Sequence, residues 1–233
     1  MSPAQLQALL AAGPERTRPW LLAAAECGLA EAQLCLGRIR LDGQGGPRDE
    51  ARALYWFSRA SQSGSVEAWN MLGRCHEHGW GTPADPAAAA RWFAKAAEAG
   101  DAWAQYNLAH LHLNGRGVKR DAHEALAWYR RAADQGHVRA MNLIGRCYEQ
   151  GWGVAPDLAA ARDWYRRSAE GGYFRGQFNH ASMLAAEVRP DEALDWFAKA
   201  LTGAPAESRA VMADALRRDP RPEVQALAAV YSA

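Results

Sequence analysis

Apolar and polar residues follow one another along this chain in short helical stretches of nearly constant length. From Glu67 to Glu77, apolar or small residues fall at Ala68, Met71, Leu72 and Cys75, the 3.6-residue rhythm of a helix with one buried face. A glycine and a turn follow, and from Pro86 to Ala99 a second face runs through Ala89, Trp92, Phe93 and Ala96. Pro or Asp opens these second helices, at Pro83, Asp85, Asp121, Pro156 and Asp157, where Asp complements the positive end of the helix dipole. The pattern predicts helical hairpins.

The hairpins recur. Residues 29–64, 65–100, 101–136 and 137–172 are four blocks of 36 that align without a gap. Block position 9 is Gly37, Gly73, Ala109 and Gly145, and position 15 is Gly43, Gly79, Gly115 and Gly151. Position 17 is Gly45, Gly81, Gly117 and Gly153. Trp56, Trp92, Trp128 and Trp164 hold position 28, each followed by Phe57, Phe93, Tyr129 or Tyr165. A fifth block from Tyr173 keeps Trp196 and Phe197, but its loop is four residues shorter and lacks both glycines. The tryptophan is expected to fill the gap between repeats that small residues allow to approach closely. No hairpin buries its apolar face alone, so the blocks must stack.

Block 101–136 carries a fuller pattern through Ala104, Leu108, Gly115, Gly117, Val118, Asp121, Ala125, Trp128, Tyr129, Ala132, Ala133 and Gly136. This resembles the Sel-one-like repeat (SLR), a branch of the tetratricopeptide (TPR) superfamily, over roughly residues 16–201. The resemblance implies an all-α, right-handed superhelical solenoid of α/α hairpins, with first helices lining a concave groove, and an adaptor or scaffold role. The expected organisation is a capping helix and half-repeat over 1–28, four repeats over the blocks above, a shortened repeat over 173–205, and capping helices over 206–233. Within the first segment, residues 3–12 are expected to supply the helix that partners the half-repeat.

Composition agrees with helices. Of 233 residues, 51 are Ala, while Ile, Val and Thr together supply only 13, too few for sheets. A net charge of +1 lacks the basic footprint of a dedicated nucleic-acid binder. Unbroken apolar runs such as Trp20 to Ala25 are far too short to cross a bilayer, and no basic residue precedes Arg16 as a secretory leader would require. Cys75 and Cys147 share a block position with Ile39, Leu111 and Met183 and read as core, while Cys27 and Cys35 read as free thiols. A cytoplasmic, monomeric protein without cofactor is expected.

Catalytic patterns are missing. The Gly-x-Gly pairs recur as turns with no preceding strand, and neither a Walker pattern nor Gly-x-Ser-x-Gly, Ser-x-x-Lys or His-Glu-x-x-His is present. No enzymatic activity is expected. His76, His78, His110 and His112 lie on successive first helices and offer an alternative reading, a small-ligand or metal-responsive sensor. Against it, His76 and His112 share the aromatic column of Tyr148.

Aligning the SLR glycine with that of the TPR motif implies which positions face the groove. They hold Arg38, Arg74, His110 and Arg146 at position 10, Asn70, Tyr106 and Asn142 at position 6, and Trp103 and Arg175 at position 3. Asn70 with Arg74, and Asn142 with Arg146, lie one helical turn apart and share a face. This resembles the asparagine-plus-base arrangement with which TPR grooves hold a peptide backbone and a carboxylate. The bland reading pairs these arginines with Glu67, Glu77 and Glu149 as a solvated ladder. The leading expectation is a noncatalytic module binding an extended acidic peptide or a partner loop.

Overall fold

The computed structural model describes residues 14–44, 46–186 and 190–231, so residues 3–12 and Gly45 lie outside the described residues. Every regular element among the described residues is an α-helix. The chain divides into two compact units, residues 1–120 and 121–233. In the first unit run α1 (Pro14–Glu26), α2 (Ala30–Asp42), α3 (Glu50–Gln62), α4 (Val66–His78), α5 (Pro86–Glu98) and α6 (Ala102–Asn114). The second holds α7 (Ala122–Asp134), α8 (Val138–Gln150), α9 (Leu158–Glu170), α10 (Phe174–Ala186), α11 (Pro190–Gly203), α12 (Ala206–Arg217) and α13 (Pro222–Val230).

Local chemistry sets the helix ends. Asp49, Asp85, Asp121 and Asp157 each accept a backbone N–H of the first turn, from Arg52, Ala88, Glu124 and Ala160, at 2.9–3.0 Å. The hydrogen bonds from the Ala88 and Ala87 N–H groups hold the Asp85 carboxyl below its ordinary range. First helices are capped by Ser65, Asp101 and His137. His137 does this through Nδ1, which accepts the Ala140 N–H at 3.2 Å, and burial holds its imidazole down at about 4. The cap therefore operates in the neutral form. At the other end, Gly43, Gly79, Gly115 and Gly151 adopt φ near 70° and return their N–H to the carbonyl four residues back.

Within a hairpin the closest contact is ring on backbone. A Cβ placed on Gly37, Gly73 or Gly145 would lie 2.3–2.6 Å from the ring of Phe57, Phe93 or Tyr165. Those rings are essentially inaccessible, whereas Trp92 and Trp164 are only half-buried. The side chain set against the glycine inside the hairpin is thus the aromatic after the tryptophan, while Trp56 and Trp128 are buried as well. Three of the repeat tryptophans carry a cation three residues on. Arg131 covers Trp128, Arg167 covers Trp164 and Lys199 covers Trp196, at 4.0–4.4 Å from the ring centre.

Two devices join one hairpin to the next. The first is a side-chain donor at block position 5 that caps the previous second helix. Gln33 donates to the Ala25 carbonyl at 2.9 Å, Trp69 to Ser61 at 3.1 Å and Gln105 to Ala97 at 3.1 Å. The second is the loop glycine at position 17. A Cβ on Gly81, Gly117 or Gly153 would stand 2.1–2.4 Å from the carbonyl oxygen of Glu50, Pro86 or Ala122, the first residue of the preceding second helix. Each of these glycines also sits at φ near 70°. At the far end of the second unit, Met212, Ala213, Leu216, Val224 and Ala228 of α12 and α13 close over Leu184, Phe197 and Leu201.

Cys75 and Cys147 are fully buried, and no disulfide joins any of the four cysteines. Burial pushes the Cys75 thiol up to about 12 and the Cys147 thiol up to about 11. A thiol held protonated in the fold contributes fully below its ordinary pKa of 9.0 and loses that contribution as pH rises toward 12. Urea unfolding from pH 8 to 11 should therefore show stability falling with pH, less steeply in Cys75→Ala. A thiol reagent at neutral pH should label Cys27 quickly and leave Cys75 and Cys147 untouched until the protein unfolds. Gly117→Ala should cost strain of about 1–2 kcal/mol plus overpacking of about 1–3 kcal/mol. Gly100→Ala should cost the strain alone, since nothing lies within 4 Å of its Cβ direction. Equal melting temperatures for the two variants would show that the loop contact does not hold the stack.

Candidate functional site

The residues proposed for partner binding separate into one group in each unit. In the first, α4 carries Asn70 and Arg74 and leads into the turn Gly79-Trp80-Gly81. Arg74 places its guanidinium 5.0 Å from the centre of the Trp80 ring, and Nη1 also reaches Met71 Sδ at 3.7 Å. Arg48 approaches the same indole at 5.7 Å and His78 stacks on it at 4.7 Å. Trp80 is half-buried and packs against the cluster of Leu34, Phe57, Met71 and Leu72. It therefore belongs to the packing, although it sits in a turn. An indole on one face leaves the in-plane N–H edge of the guanidinium open to a carboxylate.

The second unit repeats this arrangement. Arg146 on α8 lies 5.1 Å from the Trp152 ring, and Asn142 precedes it by one turn. Asn70 and Asn142 are 7% and 4% exposed, so neither stands open on the surface as the alignment suggested. Each amide oxygen accepts a hydrogen bond from an asparagine on the next first helix. Asn107 donates to Asn70 at 3.1 Å, and Asn179 donates to Asn142 at 2.9 Å. The half-buried partners Asn107 and Asn179 are the amides nearer the solvent. They escaped the sequence reading because they occupy block position 7, although their spacing of 37 residues from Asn70 and Asn142 was visible.

The remaining candidates are distributed as follows. On α6, Trp103 is 47% exposed and meets Tyr106 edge-on at 6.3 Å, and Tyr106 meets His110 at 6.3 Å. His110 Nδ1 lies 2.6 Å from the Asn114 amide on the same helix. Arg38 forms an ion pair with Glu67. Arg175 on α10 lies 5.7 Å from the Phe174 ring. Among the described residues the solvated ladder therefore forms for Arg38 but not for Arg74 or Arg146. Glu77 pairs instead with Arg116 at 3.4 Å, and Glu149 accepts the Tyr165 hydroxyl at 2.8 Å. That hydroxyl is pushed above its ordinary range by burial and by Glu149.

The histidines do not assemble. His76 and His112 each bury Nδ1 in the packing, and His78 turns toward Trp80 and stays 3.8 Å from Glu77. Among the described residues, no three His, Cys, Asp or Glu side chains are grouped to hold a metal. The metal-sensor reading therefore has no geometric basis there. No helix among the described residues is long and apolar enough to cross a membrane.

A Sel1 repeat protein from Oxalobacter formigenes is 26% identical, with 98% of this chain and 98% of that one covered and a TM-score of 0.85. The uropathogenic Escherichia coli protein c5321, a protective antigen displaying an SLR fold, is 30% identical over 93% of this chain, with a TM-score of 0.72. This chain spans 47% of the length of c5321. The immunity protein Pa5087 from Pseudomonas aeruginosa shares the fold at 19% identity, with 87% of this chain and 79% of that one covered and a TM-score of 0.60. No curated protein matches the chain significantly. The Sel1 repeat family model matches residues 30–65, 66–101, 104–137, 138–173 and 188–203, most of the sequence. Stacked hairpins and matched repeats agree: the chain belongs to the Sel1 repeat family.

Proposed function

We propose that this protein is a noncatalytic adaptor that captures an extended acidic segment of a partner protein. Sel1 repeat proteins generally mediate protein–protein interactions, and the family is generally non-catalytic. The observation that carries the finer reading is the duplicated arginine on tryptophan, Arg74 on Trp80 and Arg146 on Trp152. Each is accompanied by an asparagine pair one helical turn away, Asn70 with Asn107 and Asn142 with Asn179. A guanidinium stacked on an indole loses less side-chain freedom on binding than a free one, and its fork matches a carboxylate. The amides offer a peptide backbone both donors and acceptors. Trp103 with Tyr106 supplies an exposed aromatic anchor of the kind that dominates interfaces. Four free thiols suit a reducing compartment such as the cytoplasm, where the protein acts as a monomer.

The test is charge reversal, read by fluorescence anisotropy with labelled Glu-rich octapeptides. Arg74→Glu with Arg146→Glu should weaken capture by at least about tenfold, as expected when a charge-assisted contact becomes a repulsive one. Helicity by circular dichroism should not change, because neither side chain is in the buried core. Raising the salt concentration should weaken wild-type capture as well. Arg91→Glu and Arg167→Glu, on α5 and α9, should bind as wild type does. A double reversal that still captures the peptides, with the α5 and α9 variants losing them, would move the working surface to the second helices.

A further inference from the structure

The fifth block breaks the rule that joins the others. Gly81, Gly117 and Gly153 each press a loop onto the start of the preceding second helix, at Glu50, Pro86 and Ala122. The corresponding residue at the start of α9 is Leu158, and the shortened fifth block has no loop glycine to place there. Leu158 is accordingly 61% exposed. Beside it a cavity of about 500 Å³ runs along α9, walled by Arg162 and Arg166, with His180 and Leu184 of α10 and Glu192 and Trp196 of α11 completing it. That volume lies in the range of small-molecule sites.

Two apolar columns of the array turn polar at this one place. Block position 8 is Leu36, Leu72, Leu108 and Ile144, all buried, and in the fifth block it is His180. Position 26 is Leu54, Ala90 and Leu126, and in the fourth block it is Arg162. His180 is only 6% exposed, meets Trp196 edge-on at 5.5 Å, and has no hydrogen-bond partner for Nδ1. Burial, with Arg166 nearby, holds its imidazole below the ordinary range, so the ring stays neutral. A buried polar atom left unpaired costs stability that leucine in the same column would not. A polar residue thus replaces leucine or isoleucine where the column meets the cavity wall.

The wall carries both signs of charge. Arg166 is held by Asp163 and Glu170, at 2.5 and 3.0 Å, and forms a closed cluster along the rim. Arg162 enters from α9 and Glu192 from α11, with Leu184 and the Trp196 ring supplying apolar surface. We infer that this cavity binds a small zwitterion of the amino-acid or short-peptide class. Its carboxylate meets Arg162, its ammonium meets Glu192, and its side chain rests on Leu184 and Trp196. His180 lines the cavity beside them. This site is separate from the arginine–tryptophan pairs proposed for partner capture.

The experiment restores the array. Arg162→Leu with His180→Leu puts back the residue types that the two columns hold elsewhere, and Glu192→Gln removes the second charge with little change of shape. The probes are the L-amino acids and glycine-containing dipeptides at millimolar concentration, beside acetate and methylamine as half-ligands, read by melting temperature and calorimetry. At least one zwitterion should raise the wild-type melting temperature, and each half-ligand should bind at least about tenfold more weakly. The double reversion should melt at or above the unliganded wild type and lose the zwitterion, and Glu192→Gln should lose at least about tenfold in affinity. Capture of acidic octapeptides should be unchanged in both variants, which separates this site from the proposed partner site. The inference is overturned if no probe shifts the wild type, if a half-ligand binds as well as the whole, or if the double reversion keeps the ligand. It is equally overturned if the reverted protein melts well below the wild type, because the polar pair would then serve the fold.

Discussion

A glycine pressed against a carbonyl is what makes a stack out of separate hairpins. At Gly81, Gly117 and Gly153 the loop comes so close to the preceding second helix that no Cβ fits, and the backbone is left-handed as well. Two demands meet at one residue, and only glycine meets both. With the loop seated, the side chain at position 5 reaches the open carbonyls of the previous helix, and the ring after the tryptophan lies over the glycine of its own hairpin. Every one of these contacts joins a block to itself or to its neighbour. Stability is therefore assembled locally, as in other repeat arrays.

Most of this was legible because glycine, aspartate and aromatic residues recur at fixed offsets. The glycines after Asp42, His78, Asn114 and Gln150 end their helices, and Asp85, Asp121 and Asp157 open the next ones. The period could not say which of two adjacent aromatics would face the glycine. Phe57, Phe93 and Tyr165 take that place because one residue of helix turns the side chain by about 100°. The site was less legible. Alignment places a residue on a face but does not reveal what the next helix sets against it, so Asn70 was read without Asn107 and Arg74 without Trp80. The alternative of a histidine cluster fails on the same kind of detail: His78 meets an indole and His110 an amide on its own helix.

The chain also has a longer period. Blocks 65–100 and 137–172 share Asn, Arg, Cys and the Gly-Trp-Gly turn, while blocks beginning at 29, 101 and 173 share the glutamine at position 5. The fold repeats every 36 residues, but the side chains with chemistry repeat every 72. Each compact unit accordingly holds one asparagine pair and one arginine on tryptophan. A partner with two similar segments would meet the same chemistry twice, and the effective concentration of its second segment would be set by the linker between them.

The helix caps divide the array in another way. Ser65 caps its helix at any pH, whereas His137 does so only while Nδ1 is unprotonated. Its imidazole, held near 4 against an ordinary 6.5, resists protonation in the fold but gains a proton readily once the turn opens. As acidity increases below pH 6.5 the open form of that turn is favoured by up to tenfold per unit, until the folded ring titrates near 4. The start of α8 is thus an acid-labile joint, a few residues ahead of Asn142 on the same helix.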